Sequence, residues 1–173
     1  MEKIKEKQDQ VDVVIVGTGV AGLFAALNLP RDFKIMMITK ADLESSDSFL
    51  AQGGICVLRD ESDYDSYFED TMRAGHYENR KESVDIMIRS SGKIIEDLVG
   101  YGVEFEKDGE AFAYTREGAH SRPRILFHAD VTGKEITSKL LARVREKNNV
   151  TIYEYTTMTV SYTHLTLPTI LLV

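Results

Sequence analysis

The sequence feature that most constrains the fold is an apolar run near the N-terminus that breaks into glycines. It reads VDVVIVGTGVAG and covers residues 11–22. Valine and isoleucine fill 13–16 without a polar interruption, which predicts a strand buried on both faces of a parallel sheet. Gly17 permits the tight turn after the strand, Gly19 lets the backbone approach a pyrophosphate, and Gly22 lets the next helix pack closely on the strand. The pattern predicts a strand-turn-helix unit for a dinucleotide, whose phosphates would face the helix N-terminus. A glycine-rich turn without a ligand is the alternative.

The pattern that follows predicts an α/β fold. Residues 34–39 and 150–155 are expected to form two more strands, and we expect 11–16 to lie between them at the centre of the sheet. Apolar residues recur at helical spacing over 82–99 and 134–146, which predicts two amphipathic helices. The expected architecture is a Rossmann-like parallel sheet with crossover helices.

Composition excludes several classes of function. The 173 residues carry a net charge of −7, with 21 basic against 28 acidic residues, so a nucleic-acid-binding surface is not expected. No apolar run is long enough to span a membrane, and residues 1–10 are polar, lack the core of a signal peptide and are expected to be flexible. The single cysteine, Cys56, excludes an internal disulfide and a cysteine-based metal site. We therefore expect a cytoplasmic protein without a metal that binds a small molecule.

Two further segments carry functional side chains. A polar loop over 41–54 ends in Ala-Gln-Gly-Gly, which suggests a backbone pressed against a flat or charged group. The stretch TREGAHSRPR, 115–124, would by default be solvated surface, but apolar residues on each side predict that it is anchored to the body. The second strand ends in Thr39-Lys40, where an NAD-binding unit has an acidic residue for the ribose, so a generic NAD domain is disfavoured.

Three blocks together resemble the L-aspartate oxidases, FAD-dependent flavoproteins of the succinate dehydrogenase and fumarate reductase group. They are VVIVGTGVAGL with the later ITK, then SSDSFLAQGGI, then YTREGAHSRPRILFHADVTGKE. The resemblance implies that 11–160 is the N-terminal part of an FAD-binding domain and that the family's capping and helical domains are not included. Residues 161–173 do not resemble the family, and we interpret them as a non-native tail of translated adapter sequence. A genuine terminal strand is the alternative.

The resemblance also implies roles for individual residues. Glu117 would orient the substrate and help to select L-aspartate over a dicarboxylate without an amine. Lys40 would replace the usual ribose acid. Asp47 departs from the Asn or Ser that is common at its position and is expected to point to water. In succinate dehydrogenases and fumarate reductases a histidine tethers the flavin at that position, so the FAD is expected to be non-covalent. The implied FAD-binding residues are Gly17, Thr18, Gly19, Val20, Ala21, Gly22, Lys40, Asp47, Ser48, Phe49, Leu50, Ala51, Gln52, Gly53 and Gly54.

The implied reaction is hydride transfer from the α-carbon of L-aspartate to flavin N5, which gives iminoaspartate. Oxygen or fumarate would reoxidise the cofactor, and the product would enter NAD biosynthesis, with quinolinate synthase as a possible partner. Because later segments of the family enclose the flavin ring, a chain with residues 11–160 alone is expected to be inactive. The alternatives are another flavoprotein of the same group, a nucleotide-binding module without redox chemistry, and a non-functional truncated product.

Overall fold

The computed structural model describes residues 10–159. The N-terminal segment expected to be flexible, except Gln10, and the tail at 161–173 lie outside the described residues. The strands are β1 Val13–Val16, β2 Ile35–Ile38, β3 Ile55–Cys56, β4 Lys107–Asp108, β5 Ala111–Phe112, β6 Ile125–Leu126 and β7 Val150–Tyr153. The helices are α1 Val20–Asn28, α2 Asp47–Leu50, α3 Tyr64–Ala74, α4 Lys81–Gly100 and α5 Thr132–Arg145, with one 3₁₀ turn at Glu61–Asp63 before α3.

The α/β fold with a parallel sheet is confirmed, but the predicted strand order is wrong. Strands β1, β2 and β7 form a parallel sheet in that order, so β2 is central, and β1 lies at the edge of the sheet that the described residues form. Val14 and Val16 are 50% and 54% exposed, whereas Ile35 and Met37 of β2 are almost completely buried. The β-branched run at 13–16 indicated a strand buried on both faces. The more deeply buried strand is instead β2, which contains two methionines, and methionine has a weaker β-propensity than valine or isoleucine.

The core lies between one face of this sheet and two helices. Strand register aligns Ile15, Met37 and Ile152 on that face, and α1 and α5 pack against it with apolar side chains. The apolar stripe of the amphipathic helix predicted over 134–146 is buried in α5: Ile136, Leu140, Leu141 and Val144. The crossover helices therefore place the carboxyl ends of β1, β2 and β7 side by side.

A second unit, made of α3, α4 and the β3–β6 pair, is organised around a buried arginine. Arg124 has no exposed surface, and its Nε and Nη2 donate to the two carboxylate oxygens of Asp63 at 2.9 and 2.8 Å. Its Nη1 donates to Asp70 Oδ2 at 2.7 Å. Asp63 directly precedes α3, and Asp70 lies seven residues later in the second turn of the helix, so they present two carboxylates to one guanidinium. This cluster attaches the segment that ends at Arg124 to α3.

The cluster changes the ionisation of its acids. Burial raises the pKa of Asp70, but hydrogen bonds from Ser121 and Arg124 outweigh this effect and lower the pKa to about 2 from 3.8. The hydrogen bonds from Arg124 likewise lower the pKa of Asp63. Both carboxylates are therefore ionised in the folded protein at neutral pH, and each balances part of the buried positive charge.

We expect Asp70 to make stability depend on pH in the acid range. Because its pKa is lower in the folded than in the unfolded chain, its contribution is complete above pH 3.8 and is lost as the pH falls toward 2. Asp70→Asn should lower the free energy of unfolding at neutral pH, and its difference from the wild type should shrink by about 2 kcal/mol toward pH 2. Urea unfolding of the 173-residue chain at several pH values measures this.

The matched control is Asp65→Asn, on an exposed position of the same helix. Its unfolding free energy at neutral pH should lie within about 1 kcal/mol of the wild type, which is the effect of an acid in the first turn of a helix. A constant difference between Asp70→Asn and the wild type from pH 7 to pH 2 would contradict the assignment.

Candidate functional site

A cleft of about 530 Å³ opens at the carboxyl ends of the three parallel strands. This edge of an open α/β sheet is where such folds bind ligands. The residues that line the cleft are Val16, Gly17, Thr18, Gly19, Ile38, Thr39, Lys40, Ser45, Ser46, Asp47, Ser48, Thr156, Thr157 and Met158.

The glycine turn has the geometry that the sequence pattern requires. Gly17 has φ = +104°, which is strained for other residues. A Cβ on Gly22 would lie 2.3 Å from the carbonyl oxygen of Gly17 and 3.2 Å from the Ile15 side chain, so only glycine lets α1 start so close to β1. The start of α1 is thereby fixed at the mouth of the cleft.

Helix α2 lies directly on this turn. The backbone N–H of Val20 donates to Ser48 Oγ at 3.2 Å, and a Cβ on Gly19 would lie 2.9 Å from the same oxygen. Ser46 caps α2, since its Oγ accepts from the N–H of Phe49 at 3.2 Å. Two segments that are nearly thirty residues apart in sequence therefore form one wall of the cleft.

Thr18 provides the test of whether the cleft suits a dinucleotide. Its side chain is 2% exposed, and its Oγ1 has no hydrogen-bond partner among the described residues. A buried hydroxyl without a partner is costly, and a phosphate oxygen in the cleft would satisfy it. With the positive end of the α1 dipole beside it, the site fits the pyrophosphate of a dinucleotide such as FAD.

The rim of the cleft includes two residues that the sequence predicted to bind the cofactor and several that it did not. Lys40 and Asp47 are both exposed there. Ser45 and the segment 156–158 were not predicted to take part. The position of 156–158 could have been found, because it follows the carboxyl end of a predicted parallel strand.

The Ala51-Gln52-Gly53-Gly54 segment leaves the cleft and runs past the start of α5. The N–H of Gly133 donates to the carbonyl oxygen of Ala51 at 3.0 Å, and a Cβ on Gly133 would lie only 2.1 Å from the Ser48 carbonyl oxygen. A Cβ on Gly54 would lie 2.3 Å from both Ile125 Cγ2 and the Leu126 carbonyl oxygen. The segment is thus held against α5 and β6.

The exposed side of the same segment is accessible to a ligand. Ala51, Gln52 and Gly53 are exposed, and Leu50 is 67% exposed. Phe49 is half-buried, with Lys134 Nζ 5.7 Å from its ring centre. A flat apolar group could therefore lie along this surface.

Glu117 lies beside this segment. Its carboxylate Oε2 is 3.4 Å from where a Cβ on Gly53 would stand, and its side chain is exposed. The fold therefore brings the predicted acid next to the predicted flavin segment, although the two are more than sixty residues apart in sequence.

His120 and Cys56 face a separate apolar cavity of about 530 Å³ between α3 and α4. His120 Nε2 is 3.1 Å from Cys56 Sγ, and its Nδ1 is 3.1 Å from Arg124 Nη1. Since an arginine can only donate, Nδ1 accepts and Nε2 carries the proton. Burial and the charge of Arg124 lower the pKa of His120, and burial raises the pKa of the Cys56 thiol, so both are neutral. This pair is not an activated nucleophile.

Sequence reasoning missed the buried ionic cluster of Asp63, Asp70 and Arg124. The available signal was the spacing of the two acids, which places them on one face of a helix, but a partner so distant in sequence leaves no local trace. The described residues, 10–159, contain no group of three or more His, Cys, Asp or Glu side chains placed to hold a metal ion. None of the helices in that range is long and apolar enough to cross a membrane.

Comparison with known sequences identifies the family. The profile described as "FAD binding domain" matches residues 12–160. The L-aspartate oxidase of Clostridium perfringens is 46% identical over 143 residues, which are 83% of this chain and 33% of that protein. The L-aspartate oxidase of Clostridium acetobutylicum is 43% identical over 146 residues, 84% of this chain and 34% of that protein. The chain thus spans about a third of the length of these relatives.

Solved structures agree on the fold. The quinol fumarate reductase of E. coli superposes with a TM-score of 0.80 at 24% identity, covering 85% of this chain and 26% of that one. Sdh1 of Mycobacterium smegmatis in complex with UQ1 gives a TM-score of 0.74 at 24% identity, covering 84% and 27%. The chain belongs to the FAD-binding domain family, its fold is that of the succinate dehydrogenase and fumarate reductase flavoproteins, and its cofactor is FAD.

Proposed function

We propose that this chain supplies the FAD-binding part of an L-aspartate oxidase. The observation that carries the proposal is the position of Glu117, whose carboxylate lies beside Gly53 on the exposed side of the Ala51–Gly54 segment. An acid at that position meets a substrate that carries an ammonium group, which succinate and fumarate lack. The identity of 46% to the Clostridium perfringens oxidase supports the same activity.

The cleft and the segment beyond it would hold different parts of FAD. The turn at 17–22 would bind the pyrophosphate through backbone N–H groups and the Thr18 hydroxyl. Lys40, at the carboxyl end of β2, would lie on the adenosine side. Residues 47–54 would run along the isoalloxazine ring. When bound, FAD supplies the acceptor for the hydride that leaves the α-carbon of L-aspartate.

Glu117 would bind the substrate ammonium rather than exchange a proton with the reacting carbon. Discrimination is strongest where loss of a substrate group leaves a charged side chain unpaired, and an exposed carboxylate at the edge of the flavin segment meets this condition once substrate covers it. Oxygen or fumarate would accept the electrons. Fumarate as acceptor would bind without help from Glu117.

The reactivity of the product and the free thiol of the chain indicate a partner enzyme and a cellular compartment. Iminoaspartate hydrolyses in water, so an enzyme that consumes it should be close by, and quinolinate synthase is the partner we propose.

The half-buried free thiol of Cys56 is suited to a reducing compartment, which supports a cytoplasmic location.

We expect the FAD to be released by acid, because no covalent tether is available in the flavin segment. The loop 41–54 contains no histidine, and Asp47 stands where tethered relatives carry one. A suitable protein is the Clostridium perfringens oxidase in which residues 11–159 of this chain replace the matching segment, called the chimera below. Acid precipitation of the chimera should leave the yellow colour in the supernatant.

A succinate dehydrogenase flavoprotein treated in parallel is the control and should retain its flavin in the pellet. Flavin fluorescence that stays with the denatured chimera polypeptide would show that the tether has another position.

Glu117→Gln in the chimera should weaken the use of L-aspartate more than the reduction of fumarate. The variant loses a charge-assisted hydrogen bond to the ammonium, worth about 1.5 to 3 kcal/mol, so kcat/KM for aspartate should fall by about 10- to 150-fold. Fumarate has no ammonium and should lose little. Steady-state kinetics with both substrates measures the ratio.

The matched control is Glu110→Gln, an exposed glutamate in the β4–β5 hairpin, which should change neither value. Equal losses for aspartate and fumarate in Glu117→Gln would assign Glu117 to loop structure and remove the main support for the proposal.

A further inference from the structure

The loop that carries Glu117 is closed at its base and fastened near its far end. At the base, Thr115 and Ile125 exchange backbone hydrogen bonds of 3.0 and 3.1 Å. Near the far end, both the backbone N–H and the Oγ of Ser121 donate to Asp70 Oδ2, each at 2.6 Å. Glu117 lies between these two attachments, so both determine its position.

The short span between Glu117 and Ser121 has little freedom. The carbonyl oxygen of Glu117 accepts from the N–H of His120 at 3.2 Å, and Gly118 between them has φ = +51°. Arg73 Nη2 reaches the Ala119 carbonyl oxygen at 3.5 Å. Movement of Ser121 is therefore transmitted to Glu117 through a tight turn.

Arg124 divides the cluster into two sides. Its Nη1 faces the loop, with Asp70 at 2.7 Å and His120 Nδ1 at 3.1 Å. Its Nε and Nη2 face the beginning of α3, where they contact Asp63, and Nη2 also donates to Ser66 Oγ at 2.9 Å. Ser121 and Ser66 are thus hydrogen-bonded to the same ionic cluster on opposite sides.

We propose that the contact between Asp70 and Ser121, backed by Arg124, positions the Glu117 carboxylate beside Gly53 and so determines the preference for substrates with an ammonium group. This proposal rests on the function proposed above. Asp70, Ser121 and Arg124 are positioning residues, since they act through Glu117. Small displacements of a binding group are enough to reduce catalysis strongly.

The serines allow a test without removal of a buried charge. In Ser121→Ala the backbone N–H still bonds Asp70, and in Ser66→Ala Arg124 keeps both bonds to Asp63, so both variants should fold. In the chimera, Ser121→Ala should lower the ratio of kcat/KM for L-aspartate to kcat/KM for fumarate by about 3- to 10-fold, the effect of one hydrogen bond. Ser66→Ala should leave the ratio unchanged, with a similar loss in thermal stability.

A double variant tests whether the effect passes through Glu117. If Ser121 acts by placing that carboxylate, Ser121→Ala added to Glu117→Gln should cause no further change in the ratio. Additive changes would show that Ser121 affects selectivity by another route and would overturn the inference. A change of equal size in Ser66→Ala would overturn it too, because general loosening of the cluster would then suffice.

The same measurements separate this inference from the proposed function. If Glu117→Gln changes the ratio and Ser121→Ala does not, the positioning role fails and the proposed function stands. If Glu117→Gln itself leaves the ratio unchanged, the role of Glu117 in substrate selection fails, and the inference fails with it.

Discussion

The ion pairs of the buried Arg124 guanidinium are the interaction on which the unit made of α3, α4 and the β3–β6 pair depends. A fully buried charge is tolerated only when it is paired and hydrogen-bonded, and here all three nitrogens of the guanidinium have acceptors. Removal of one partner from such a cluster commonly costs about 3 to 5 kcal/mol, since it leaves an uncompensated charge. The cluster therefore gives α3 and the Glu117 loop one defined arrangement.

The parallel sheet with α1, the Ala51–Gly54 segment and α5 depends instead on the close approach of one backbone segment to another. Gly22, Gly54 and Gly133 each stand where a Cβ would lie within 2.3 Å of a neighbouring atom. These contacts bring α1, the Ala51–Gly54 segment and α5 nearer than larger residues allow, and the packed core beneath the sheet keeps them there. Backbone N–H groups can then face a dinucleotide without long side chains between them.

The sequence predicted the parts of the fold that leave a local pattern. The apolar stripes gave α4 and α5 to within two residues, and the glycine spacing gave the turn after β1. The order of the strands was predicted wrongly, because β-branched residues at 13–16 favour a central strand whereas the crossover from α5 places β7 against β2. The burial of Arg124 could not be predicted from the sequence either, since it depends on two acids more than fifty residues away.

The sheet unit and the unit around Arg124 share one apolar core, to which α4 contributes Ile95 and Leu98, and they also meet at the Gly53–Gly54 pair. Gly54 is pressed against Ile125 of β6, and Gly53 is beside the Glu117 carboxylate. Under the proposed function, the cleft at the glycine turn would hold the cofactor, and the loop that carries Glu117 would select the substrate. On that proposal, substitutions around Asp70 and Ser121 would alter selectivity and leave the dinucleotide cleft intact, so that substrate preference would change on this fold without a new cofactor site.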